Sequence, residues 1–100
     1  MATDFKPEFP TTFNMVDYFV DDNIRAGRGD KVAVRWAAST SGQAGNPREG
    51  GEWTYNKVAE MVNRLGNGLI ELGMQPEQRF LTVLFDCPEF VATWFGGIKA

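Results

Sequence analysis

Histidine is absent from the 100 residues, which excludes catalytic triads, imidazole acid–base pairs and zincin-type metal sites. Cysteine occurs once, at Cys87. An internal disulfide and a multi-cysteine zinc site are excluded with it, and such sparing use fits a reducing compartment, the cytoplasm by default. No apolar run approaches the ~20 residues of a membrane span, and the start Met1-Ala2-Thr3-Asp4 has no basic segment followed by an apolar one. Positive charge is also in short supply. Ten Lys and Arg face thirteen Asp and Glu for a net charge of -3, so no overall field exists to hold a nucleic-acid backbone. What is present, 43% apolar and 13% aromatic residues, is the balance of one core-forming domain.

The chain opens with a strap, residues 1–13, in which Phe5 and Phe9 stand among Pro7, Pro10 and charges, with Phe13 following. Prolines keep such a segment extended, and its aromatics pin it to the body of the fold. Residues 14–100 then read as a single unit. Asn14 caps a helix running from Met15 to about Ala26, Phe13 staples onto Tyr18, and Gly27 ends the helix. Val16, Phe19, Val20 and Ile24 form its apolar stripe. Asp17 and Asp21 share a face, which reads as solvated acid and not as a metal site.

Lys31 to Ala37 alternates, with Val32, Val34 and Trp36 on one face, and predicts a strand; Glu52 to Tyr55 predicts a second. The intervening residues 38–51, rich in Ser, Gly and Asn, make the pair a hairpin with a long loop. Thr54 caps a helix whose Val58, Met61, Val62, Leu65, Leu69 and Leu72 recur at three- and four-residue steps, until Gly73 and Pro76 end it. Gly66 and Gly68 within it predict close packing of the helix on a sheet.

Arg79 to Phe85 is apolar without alternation, as in a strand covered on both faces of a parallel sheet, so strand, helix and strand form a βαβ crossover. The fold class is α/β. Asp86 or Cys87 caps a last helix with Pro88 in its first turn and a buried stripe of Phe90, Val91, Trp94, Phe95 and Ile98. That stripe has no counterpart within the chain, which implies the front portion of a larger protein, packed against the remainder of its own domain. Cys87, beside Asp86 and Glu89 and with no imidazole to activate it, reads as a cap or a packed small side chain and not as a nucleophile.

The order Thr54-Tyr55, Lys57-Val58-Ala59, Asn63-Arg64-Leu65, Gly66-Asn67-Gly68-Leu69 and Leu72-Gly73 is similar to the first core motif of the AMP-forming adenylating enzymes. Arg79 to Phe85, Pro88-Glu89-Phe90-Val91 and Phe95-Gly96-Gly97-Ile98-Lys99-Ala100 resemble the strand and helix that follow it. Upstream, Phe13-Asn14, Asp17-Tyr18-Phe19, Asn23 and Gly27-Arg28-Gly29-Asp30-Lys31-Val32-Ala33 look most like benzoate and related aryl-CoA ligases. The family often places Glu where Lys57 stands, so its capping box is lost here.

The resemblance implies the incomplete amino-terminal domain of an ATP-dependent ligase. A carboxylate, an aromatic one on this likeness, attacks the α-phosphate of ATP in the presence of Mg2+, and the CoA thiol then displaces AMP. The family's phosphate loop, nucleotide contacts, acyl pocket and catalytic lysine lie outside these motifs, so no catalytic, cofactor-binding or metal-binding residue is carried over, and the 100 residues alone are expected to be inactive. Thr40-Ser41-Gly42-Gln43-Ala44-Gly45-Asn46-Pro47-Arg48 resembles that phosphate loop in part, but it precedes the first core motif and lacks two hydroxyl residues. A surface connection is the simpler reading. Two alternatives stay open: a self-contained small α/β interaction module, and an adenylation domain with an acceptor other than CoA.

Overall fold

The computed structural model describes residues 8–38, 49–84 and 87–100. Phe5 of the strap, the loop from Thr40 to Arg48, and Phe85 and Asp86 lie outside them. Asn14 opens the first helix: its Oδ1 accepts the N–H of Val16 at 2.9 Å and that of Asp17 at 3.4 Å. A π-helical segment, Asp17–Asp21, runs directly into an α-helical turn, Asp22–Arg25, and together they make helix α1. Phe13 does meet Tyr18, at 5.6 Å between ring centroids. Val16 and Val20 face inward, but the wider π turn carries Phe19 off the stripe and leaves it about half exposed. Gly27, at φ 86°, donates to Ile24 while Arg28 donates to Asn23, and this paired closure ends α1.

Strands β1 (Val32–Trp36) and β2 (Gly51–Thr54) form the expected antiparallel hairpin. Val32 pairs with Thr54 and Val34 with Trp53, so Ala33 is an extra residue on β1. The bulge breaks the alternation read from the sequence. Ala33 and Val34 both pack on the core, and Val32 is turned outward. At the far end the rings of Trp36 and Trp53 meet edge to face at 5.8 Å.

Helix α2 (Tyr55–Glu71) starts where the hairpin ends. Its first donors are all engaged locally: Tyr55 N–H to Lys31 O, Asn56 N–H to Gly29 O, and Lys57 N–H to Thr54 Oγ1 at 3.2 Å. Thr54 is thus the cap, and it works without a reciprocal acid, because Lys57 turns to Glu60 at 3.5 Å. Gly73, at φ 95°, and Met74 close the other end by donating to Ile70 and Leu69.

Helix α3 (Pro88–Lys99) lies across α2. The core is small: Val16, Val20, Val58 and Val62, with Ala92 buried beside it. Val91, Phe95, Ala33, Val34 and Trp53 pack around these from α3 and the hairpin. Lys99 reaches Asp21 at 3.1 Å and ties the end of α3 to α1. Arg25 binds Asp17 and Asp22, whose hydrogen bonds, Asp22 first, raise its pKa further. The two carboxylates read as one acidic face, Asp17 and Asp21, therefore each hold a different cation.

Three expectations are corrected. The close approach at Gly66 is helix on helix, not helix on sheet: a methyl built there would lie 3.2 Å from Gly96 O, whereas one at Gly68 meets nothing within 4 Å. Gly68→Ala should therefore gain about 0.5–1 kcal/mol from helix propensity alone, read as a rise in the urea midpoint with unchanged slope. Second, the buried positions of α3 are Pro88, Ala92 and Gly96, none of them in the predicted stripe, while Trp94 and Ile98 of that stripe are exposed, as expected of a face with no counterpart in the chain. Small residues let the two helix backbones approach, so the large ones are displaced to the flanks. Third, residues 79–84 form no strand, and the one ladder among the described residues is β1–β2. The mixed α/β class holds, but the crossover is not closed. A strand apolar on both faces draws its stability from neighbours on both edges, and β1 and β2 already pair with each other.

Candidate functional site

Past Gly73 the chain turns sharply. Gln78 N–H donates to Gln75 O at 3.2 Å across Pro76 and Glu77, and Gln75 N–H donates to Gln78 Oε1 at 2.7 Å. Glu77 sits at φ 67°, a left-handed position that a turn of this type normally gives to Gly or Asn. This turn sends residues 79–84 back over α2 and α3. Phe80 lies against Gly97, where a built methyl would come 2.6 Å from its ring.

Around Phe80 the surface opens into three adjoining clefts, of about 480, 310 and 300 Å³. The first lies toward Leu72 and Met74 at the end of α2, the second toward Trp94 and Ile98 on α3, and the third between Leu65, Leu69 and Val83. The second and third have mainly apolar walls and the first is more polar than apolar, with Gln78, Arg79, Thr82 and Thr93 as the polar members. No nucleophile and base meet there. The clefts have the chemistry of a docking face and not of a reaction centre.

Other candidates are equally spare. Cys87 occupies the N-cap of α3 in an extended conformation, half buried, and its side chain makes no capping hydrogen bond. It caps by position alone. The loop from Thr40 to Arg48 lies outside the described residues. Among those described, no three His, Cys, Asp or Glu side chains come together. No helix among them is long and apolar enough to cross a membrane. Sequence reasoning missed the small-residue crossing of Gly66 on Gly96. The spacing of Val62 and Gly66 on one helix and Ala92 and Gly96 on the other, each four apart, was the available signal.

Comparison with known proteins gives these residues a setting. A family model described as AMP-binding enzyme matches residues 21–100. The chain is 32% identical to benzoate–CoA ligase of Thauera aromatica over 93 residues, covering 92% of this chain and 15% of that protein. It is 31% identical to the 4-hydroxybenzoate–CoA/benzoate–CoA ligase of Rhodopseudomonas palustris over 88 residues, covering 88% and 14%. It is 32% identical to acetyl-coenzyme A synthetase of Streptomyces coelicolor over 78 residues, covering 78% and 11%. No solved structure matches it significantly. The chain thus spans less than one-sixth of the length of these relatives. With the match running from the end of α1 through α3, the chain belongs to the AMP-binding enzyme family.

Proposed function

We propose that these residues are the amino-terminal part of an ATP-dependent, AMP-forming carboxylate–CoA ligase acting on an aromatic acid of the benzoate class in the cytoplasm. The observation that carries this reading is the alignment of 92% of the chain with a benzoate–CoA ligase. In such a reaction the carboxylate oxygen bonds to the α-phosphorus of ATP and pyrophosphate leaves. The CoA thiol then attacks the acyl carbon and AMP leaves.

The described residues supply scaffold to that chemistry. The open face around Phe80 is covered by the remainder of the polypeptide, which brings the nucleotide, magnesium, acid and thiol contacts. A second reading, a short aliphatic acid, is favoured by the acetyl-coenzyme A synthetase match at the same identity over a shorter span.

ATP–pyrophosphate exchange on the complete polypeptide decides between them. Exchange at least tenfold faster with benzoate than with acetate is expected, together with a benzoyl thioester once CoA is added. Preference for acetate by the same margin would replace the first reading with the second. The 100-residue chain alone should give no exchange above a protein-free blank, because a barrier of this kind is lowered by positioned groups it does not carry. Exchange by the chain alone would return the reacting groups to these residues.

A further inference from the structure

Asn67-Gly68 is the one Asn-Gly pair in the sequence, and it stands inside α2, a turn before that helix ends at Glu71. Packing asks for neither residue. Asn67 is exposed, and a methyl built at Gly68 meets nothing within 4 Å. Both are poor helix formers. In this dipeptide the asparagine side chain is unusually open to attack by the backbone nitrogen that follows it, because glycine has no Cβ to crowd the ring that forms. The helix restrains that attack. The helical ψ of Asn67 turns the Gly68 nitrogen away from Asn67 Cγ, and the Gly68 N–H is directed to the carbonyl four residues back.

We propose that Asn67 is a deamidation site held shut by α2, so that opening of the helix end admits the reaction and the product records the event. In the opened segment the Gly68 nitrogen bonds to Asn67 Cγ, the Cγ–Nδ2 bond breaks, and ammonia leaves with the proton from the Gly68 nitrogen. Solvent water then adds to either carbonyl carbon of the succinimide ring and opens it, giving aspartate or isoaspartate at position 67. No oxidant or reductant takes part. Neither product closes the helix as asparagine does. Isoaspartate puts one more carbon into the backbone, just before the turn in which Gly73 and Met74 donate to Ile70 and Leu69. Aspartate sets a carboxylate four residues before Glu71, near the negative end of the helix dipole. The end of α2 is therefore looser after the reaction than before it.

Peptide mapping of the complete polypeptide, incubated at mildly alkaline pH, tests this. Trypsin releases the peptide from Leu65 to Arg79, in which Asn67 is the one asparagine, so the mass gain of exchanging an amide for an acid reports this site. Deamidation in guanidinium chloride is expected to run at least about tenfold faster than in the native protein, because the native rate scales with the small fraction of time that α2 is open there. Gly68→Ala should slow the unfolded rate by about tenfold or more, since its Cβ crowds the ring. Ile70 is 55% exposed, so Ile70→Gly and Ile70→Ala differ chiefly in helix propensity. The glycine variant should deamidate about fourfold faster than the alanine variant when native, and at the same rate when unfolded. Glu71→Gly against Glu71→Ala repeats the comparison at a second exposed position, should Ile70→Gly lose its helical circular dichroism. A native rate equal to the unfolded one, an unfolded chain that keeps the Asn67 amide, or equal native rates for folded glycine and alanine variants would overturn the inference.

Discussion

Gly96→Val should lower the unfolding free energy by about 3 kcal/mol, and Gly96→Ala by about 1–2 kcal/mol, measured by urea denaturation at one fixed protein concentration. The first atom added at Gly96 already lies 2.8 Å from Leu65 Cδ2, 3.0 Å from Leu65 Cβ and 3.1 Å from Val62 O. Leu65 Cδ2 can swing aside. Its Cβ and the Val62 carbonyl belong to the α2 backbone, so relief requires α3 to lift, and the contact that lifts is the one holding Val62 and Ala92 out of water. Two methyls on a branched carbon make that displacement unavoidable. Gly97→Ala is the control, since its added methyl meets only the ring of Phe80, a side chain on an unpaired segment that is free to turn. It should change stability by less than about 0.5 kcal/mol, because helix propensity gained offsets the ring's displacement. A loss at Gly97 equal to that at Gly96 would mean that residues 79–84 are as firmly packed as the helix crossing.

The features that were legible in the sequence are those decided within a few residues. Asn14, Phe13 with Tyr18, Thr54, Gly27 and Gly73 all do what their local chemistry requires, because a cap or a positive φ is settled by its immediate neighbours. The bulge at Ala33 and the π turn at Asp17–Asp21 are single-residue accommodations to what packs across from them, and the pattern of apolar residues is blind to such partners. Ala92 and Gly96 were overlooked for a related reason. Periodicity ranks residues by hydrophobicity, while a close helix crossing selects them by smallness, so Ala92 and Gly96 take the buried positions. Residues 79–84 show the sharpest divide: their composition is that of a central strand, and a strand is defined by partners that the described residues do not include. The site fared differently. Its identity came from the order of ordinary structural residues over α2 and α3, and no chemistry-bearing cluster was read from the sequence.

Val62→Ala should cost about 2–3 kcal/mol and Val62→Thr about 1–3 kcal/mol, and the comparison tells what kind of core this is. Val62 is fully buried, in contact with a cluster made of Val16, Val20 and Val58. The alanine variant removes two methyl groups, worth about 1.6 kcal/mol in transfer from water, and leaves a void between α1, α2 and α3 whose unfilled volume adds the rest. The buried side chains around that void are the valines Val16, Val20 and Val58, with Phe95 and Trp53 among the residues packed outside them. Valine has one side-chain torsion and cannot reach across a gap as methionine would, so little collapse is available. The threonine variant keeps the volume and exchanges a methyl for a hydroxyl. On a helix that hydroxyl can turn to the carbonyl four residues earlier, here Val58, and so escape part of the desolvation penalty. The expected order is therefore alanine below threonine below wild type in urea midpoint, with equal slopes. The reverse order would show that the valine cluster relaxes readily around a cavity and that its exclusion of water, more than its packing, holds the three helices together.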